Sequence, residues 1–341
     1  MSEFDIKRIV APEESQEEAI VSLSLRPKTL SEFIGQGQII SNLQIGIKAA
    51  LQREEPLEHI LFSGPPGLGK TTLANIIASE MGSRLVATSG PALERPGDLV
   101  GILTNLDEKD ILFIDEIHRM PRIVEEFLYP AIESFKIDFV IDKGPYAKTV
   151  KFNLKPFTLV GATTRSGLLS APMRSRFGFF YHLEFYSPQD LLEIIVRSAG
   201  LLKTEIDKDA ALEIARRSRG TPRIANRLLR RVRDYAQVEH NGHITLQIAR
   251  FALQNLGVDE LGLDDLDRRV LMAIIDIYKG GPVGIESIAA TLNEESDTLT
   301  DVVEPFLLKE GLLKRTARGR QVTEKAYAHL GVEQRPNGEL L

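Results

Sequence analysis

The chain has 341 residues, 43% of them hydrophobic and 26% charged, with a formal net charge of −6 and no cysteine. That length predicts two or three domains with ample core, while the missing cysteines exclude a disulfide framework and thiolate metal sites. No apolar run is long enough to span a bilayer or serve as a secretory leader, so a soluble, cytoplasmic protein with no membrane partner is expected.

Three segments follow from the patterning. Residues 1–184 read as α/β: "HILFSG" (59–64), "DILFID" (110–115) and "FTLVGATT" (157–164) are short apolar runs ending in polar residues, as buried parallel strands do. A helix "TTLANIIASEMG" follows the first run and stops at Gly82, and "MPRIVEEFLYPAIESF" has helical spacing. "KIDFVIDKGPYAKTVKFNL" alternates apolar and polar residues around a turn, which predicts a β-hairpin over 137–154. Residues 185–256 are helical throughout, with Ser187–Pro188 and Thr221–Pro222 as N-cap and first-turn pairs. Residues 257–341 predict three helices, the last disturbed by Pro305, then a basic hairpin, "GLLKRTARGRQVT" (311–323). Three helices and a hairpin suggest a winged helix. The middle segment is net basic and its flanks net acidic, so the hairpin is a small cationic patch on an acidic domain. Charges more than roughly 8 Å away are screened at physiological salt, and such a patch can act alone.

Chemistry concentrates in a few places. "GPPGLGKT", Gly64 to Thr71, has the G-x-x-x-x-G-K-[ST] spacing between a strand and a helix. Glycines such as Gly67 and Gly69 let successive N–H groups face phosphate oxygens, Lys70 reaches the β and γ phosphates, and Thr71, with Thr72 beside it, offers a hydroxyl to Mg²⁺ at a positive helix end. Asp115 and Glu116, at a strand end in "ILFIDEIH", suit Mg²⁺ binding and polarisation of an attacking water; His118 reads as structural. In "GATTR" the Thr164 hydroxyl could meet the γ phosphate or that water, with Thr163 as the alternative because neighbouring strand residues face opposite sides. Arg174 and Arg176 in "APMRSRFG" are candidates for stabilising transferred charge from a neighbouring subunit. Arg223 in "GTPRIANRLL" sits at a helix N-terminus, where a cation is disfavoured unless an anion joins it.

In order, "GPPGLGKTT", "DEIH", "GATTR", "SRFG" and "GTPR" resemble an AAA+ ATPase, and "LRPKTLSEFIGQ", "RPGDLVGILTNL", "DKGPYAKTV" and "RTARGR" narrow the resemblance to the RuvB family, from Leu25 to about Leu330. The resemblance implies an AAA+ P-loop core with helices on both faces of a parallel sheet, a small helical lid and a C-terminal winged helix. It also implies an ATP/ADP- and Mg²⁺-dependent motor that drives branch migration of Holliday junctions as a homohexamer on duplex DNA, with RuvA and, in the resolving complex, RuvC. By the same resemblance Leu25 and Arg26 of "LRP" and Tyr186 line the adenine pocket, Arg176 is the arginine finger, Thr164 and Arg223 are the two sensors, and Arg315, Arg318 and Arg320 meet DNA phosphates. The 137–154 hairpin is the implied RuvA-docking element, through apolar side chains including Ile137, Phe139, Ile141, Val150, Phe152 and Leu154, and Tyr146. Where the commoner family form is GPAAR, Tyr146 and Lys148 depart from it. Other AAA+ classes, and a winged-helix regulator using nucleotide only as a switch, are the competing readings.

Overall fold

The computed structural model describes residues 23–140 and 149–333. The chain forms two compact units, one comprising Arg26–Gly64 and Leu68–Glu184, the other Phe185 onward together with Pro65–Gly67.

The first unit is built on a five-stranded parallel sheet: β1 (Ile60–Ser63), β2 (Leu85–Ser89), β3 (Ile111–Asp115), β6 (Thr158–Thr163) and β7 (Phe179–His182), in the order β2-β3-β6-β1-β7. β1, β6 and all but the last residue of β3 are buried, which is why they read as unbroken apolar runs and not as alternating ones. One face packs Leu61, Leu112, Ile114 and Leu159 against Leu99, Leu103, Val124 and Leu128 of two helices, Pro96–Thr104 and Arg122–Ser134. The helix Lys70–Met81 buries Leu73, Ile76 and Ile77 and ends at Gly82, in the left-handed conformation that glycine adopts most easily.

β4 (Lys136–Val140) and β5 (Thr149–Asn153) pair antiparallel, with Phe139 opposite Val150. Ile141 and Tyr146 lie outside the described residues. The base of this hairpin corrects one expectation: Ile137 is fully buried, and Leu154 and Phe152 pack with it into the core of the unit. Those three side chains hold the hairpin to its own domain, and the buried Ile137 and Leu154 are not available to a partner.

In the second unit the helices Pro188–Leu201, Lys208–Arg216, Pro222–Glu239 and Leu246–Asn255 pack together. Ser187 caps the first, accepting from the Asp190 amide at 3.1 Å, and Thr221 caps the third, accepting from the Ile224 amide at 3.4 Å. The helices Asp265–Asp276, Ile285–Leu292 and Glu304–Lys309, the strands β8 (Leu313–Thr316) and β9 (Gly319–Val322), and the helix Glu324–Leu330 enclose a separate apolar core that includes Val270, Ile274, Ile288, Phe306, Leu312 and Val322. Pro305 does not break its helix. A π turn over Leu299–Val303 runs directly into Glu304–Lys309, so the missing proline N–H is absorbed by a local change of pitch.

Candidate nucleotide and nucleic-acid sites

The loop after β1 is shaped by its glycines. Gly64 has φ +134°, and a Cβ there would lie 2.5 Å from the Leu183 carbonyl oxygen; Gly67 and Gly69 also have positive φ. Lys70 opens the following helix, is 7% exposed, and its Nζ donates to the Gly64 carbonyl at 2.7 Å. The lysine therefore folds back across its own loop, and Thr71 and Thr72 stand half-buried in the first turn.

Because β6 lies between β1 and β3, it carries its last residues between the glycine-rich loop and the Asp115–Glu116 pair. Thr164 Oγ1 donates to Glu116 Oε2 at 3.2 Å, and its amide approaches the same oxygen at 3.4 Å. Thr163 turns inward: it is fully buried, and its hydroxyl lies 2.9 Å from His118 Nδ1. The geometry thus selects Thr164 over Thr163 as the partner of Glu116. His118 Nδ1 also stands 3.2 Å from Glu116 Oε2, so this histidine positions the carboxylate from behind. Burial, then the charge of Asp115, raises the Glu116 carboxyl above its ordinary value, against the pull of Lys70 and the Thr164 bonds. Gly90 fixes the same corner, since a Cβ there would sit 2.4 Å from the Glu116 carbonyl oxygen.

Arg176 lies elsewhere in this unit. Its guanidinium pairs with Glu133 at 2.8 Å, lies 4.4 Å from the centroid of the Tyr129 ring, and donates to the Pro172 carbonyl. Arg174 is exposed and donates to the Ser166 carbonyl at 2.7 Å. Nothing in the local sequence announced Glu133 or Tyr129 as partners of Arg176.

In the second unit, Arg223 is the second residue of the helix Pro222–Glu239, and its amide donates to the Gly67 carbonyl at 3.4 Å. A Cβ on Gly67 would come within 3.1 Å of the Arg223 Cβ, so the apex of the glycine-rich loop meets the capped end of this helix. Tyr186 is buried, its amide donating to the Gly220 carbonyl, and Leu25 is buried with its carbonyl accepting from Arg197. Arg26, on the first unit, is half-buried.

At the basic hairpin, β8 and β9 pair with Arg315 opposite Arg320. Like charges facing each other across a strand pair are destabilising. The conflict is resolved by Glu304, 2% exposed, whose two carboxylate oxygens each accept from both guanidiniums at 2.6–3.1 Å. Arg315 and Arg320 are therefore held side by side in fixed orientation, Arg315 half outside and Arg320 largely covered. Arg318, at the turn, and Lys314 are exposed. Sequence reading missed Glu304, whose only local signal is an acid beside Pro305 between two apolar stretches.

A glycine-rich loop feeding a buried lysine into a helix, with an acidic pair two strands away, is how a P-loop ATPase of the AAA+ class is built. Protein-family models match nearly the whole described chain: a Holliday junction DNA helicase RuvB P-loop domain over residues 25–183, a RuvB AAA lid domain over 186–259, and a RuvB C-terminal winged helix domain over 260–331. The Holliday junction branch migration complex subunit RuvB of Desulfosudis oleivorans is 62% identical over 312 residues, covering 92% of this chain and 91% of its own. The subunit of that name from Flavobacterium johnsoniae is 58% identical over 317 residues, 93% of each. The Thermotoga maritima RuvB Holliday junction branch migration motor superposes with a TM-score of 0.84 at 52% identity, covering 91% of this chain and 99% of that one. The chain belongs to the RuvB family of AAA+ ATPases.

Proposed function

We propose that the protein is an Mg²⁺-dependent, ATP-driven motor that assembles as a homohexameric ring on duplex DNA and drives branch migration of Holliday junctions with RuvA, within a complex that RuvC can join, in the cytoplasm. Among the described residues no helix is long and apolar enough to cross a membrane. The observation that carries the reading is the convergence of Lys70, Glu116 and Thr164 at the carboxyl ends of β1, β3 and β6. Lys70 and the amides of the loop would hold the β and γ phosphates, and Thr71, with Asp115, would hold an Mg²⁺ ion, which would supply charge screening there. Glu116, oriented by Thr164 and His118, takes a proton from the attacking water. Arg176 serves a neighbouring copy's nucleotide, Arg223 acts as the second sensor, and Leu25, Arg26 and Tyr186 line the adenine pocket.

The wing meets DNA through phosphates alone, by Arg318 at its tip and the paired Arg315 and Arg320. Phosphate contacts carry no sequence information, which suits a motor that must pass over any sequence. The tip of the 137–154 hairpin, with Phe139, Ile141, Tyr146 and Val150, serves RuvA. The test is ATP turnover by the purified protein with and without RuvA and a four-way junction. Junction-dependent stimulation with strand exchange is expected. Turnover that no junction alters, or binding to one preferred sequence without turnover, would instead support a partner-loading ATPase or a nucleotide-switched regulator.

A further inference from the structure

Four residues before Arg223, on the same loop, Arg219 reaches into the winged helix. Its backbone is left-handed (φ +56°), as is that of Gly220 after it (φ +74°), and the pair of turns buries the guanidinium to 4% exposure. There it makes a two-toothed contact with Asp267, at 2.9 and 3.1 Å, in the first turn of the helix Asp265–Asp276. It also lies 3.5 Å from Asp264, donates to the Val302 carbonyl at 3.1 Å, and sits 4.4 Å from the centroid of the Phe306 ring. All the partners belong to the winged helix, and the arginine belongs to the lid.

Next to it, Arg217 stays within the lid, and Lys309 of the winged helix approaches the loop. Arg217 donates to the Val258 carbonyl, and a Cβ on Gly220 would lie 2.8 Å from Lys309 Nζ. The stretch that Arg219 grips, Val302 to Phe306, contains Glu304, which holds Arg315 and Arg320. One side of a single turn is therefore clamped by the lid, and the other side clamps the wing.

We propose that Arg219 is a positioning residue that locks the lid loop to the winged helix, so that motion of the loop carrying Arg223 reaches the wing arginines without slack. Arginine suits the task because its planar fork satisfies a carboxylate with two bonds and still has a donor for a carbonyl and a face for a ring. Burial pushes the Asp267 carboxyl up to about 7 against the pull of Arg219. An ionised carboxylate at that depth depends on the guanidinium.

The inference rests on the motor reading proposed above, and its test separates the two. The chain has no cysteine, so Gln237→Cys on the lid and Glu324→Cys on the winged helix, both exposed, can carry spin labels in the full-length protein. A single interlabel distance, unchanged between ADP and a non-hydrolysable ATP analogue and with or without duplex DNA, is expected. A distance that shifts with nucleotide overturns the joint, whether or not any variant folds.

The companion variant is Arg219→Met with Asp267→Asn, which removes both members of the two-toothed pair together and leaves Asp264 at the helix cap, where it still accepts from the residue 267 amide. It should broaden the distance distribution, keep DNA-free ATP turnover and nucleotide-free duplex affinity within about twofold, and cut junctions migrated per ATP by about tenfold or more, the size of an ordinary coupling between sites. Arg219→Lys, which keeps the charge and loses the fork, should fall between. A double variant that migrates junctions with undiminished yield per ATP overturns the proposal. A parent protein that neither turns over ATP nor moves junctions overturns the motor reading instead, and the distance measurement still decides the joint.

Discussion

In the proposed reaction, the decisive step rests on the ionisation of one carboxylate, Glu116. Burial and Asp115 raise its pKa, and the Thr164 bonds lower it. Only the ionised form accepts a proton from water, so turnover is lost as pH falls through the raised pKa. Thr164→Val removes a bond that favours the charged form and lifts the pKa further. The acid limb of kcat/KM should therefore move to higher pH, with maximal turnover reduced about tenfold, as for loss of one oriented hydrogen bond in a polar site. A limb that stays put or moves to lower pH excludes Thr164 as the partner of ionised Glu116. Lys70→Ala, by contrast, should leave the fold intact and reduce ATP turnover by at least about a hundredfold, as for loss of a preorganised charge at the transferred phosphoryl group. Substantial residual hydrolysis would remove Lys70 from the mechanism.

Elements show why some of this was legible in the sequence and some not. The buried strands, the caps at Ser187 and Thr221 and the glycine-rich turn are local patterns: each is set by residues within a few positions, and each appeared where the sequence put it. Pro305 does disturb its helix, through a π turn that no propensity rule specifies, whereas Ile137 and Leu154 misled because hairpin alternation does not say which end is core. The bond from Arg219 to Asp267 spans 48 positions and that to Val302 spans 83, and no periodicity encodes such distances.

The wing depends on another bond of this kind. Burial alone would raise the Glu304 carboxyl, but the bonds and charges of Arg315 and Arg320 outweigh it and hold the group below its ordinary value. A depressed pKa means stability that is present above the unfolded-state value and lost as pH falls through the folded one. Glu304→Gln should therefore be less stable at pH 7, by about 1–3 kcal/mol as for lost hydrogen bonds to charged groups, and should lose less on acidification than the parent. Urea midpoints at pH 7 and pH 4 measure both. An equal acid loss in the two proteins would show that Glu304 does not anchor the wing. Arg318→Ala, at the exposed turn, should leave stability within about 0.5 kcal/mol and shallow the salt dependence of duplex binding by about one phosphate.

At the scale of the assembled molecule, the question is whose nucleotide Arg176 serves. Within its own chain the guanidinium contacts Glu133, Tyr129 and Pro172, none of which belongs to the site formed by Lys70, Asp115, Glu116 and Thr164. In the proposed ring, Arg176 contributes to phosphoryl transfer by meeting another copy's phosphates. Subunits with Lys70→Ala keep Arg176 but cannot cradle phosphate; subunits with Arg176→Ala cradle phosphate but lack the cation. Each variant alone should be inactive. In an equal mixture that assembles at random, about one interface in four joins an intact Lys70 to an intact Arg176 from the neighbour, so turnover should recover to about a quarter of the parent's. If Arg176 acts within one chain, no interface is complete and the mixture stays as inactive as its parts. The measurement is steady-state ATP hydrolysis at fixed total subunit concentration across the mixing ratio. Action across the interface predicts a maximum at equal proportions, whereas action within one chain predicts a flat line.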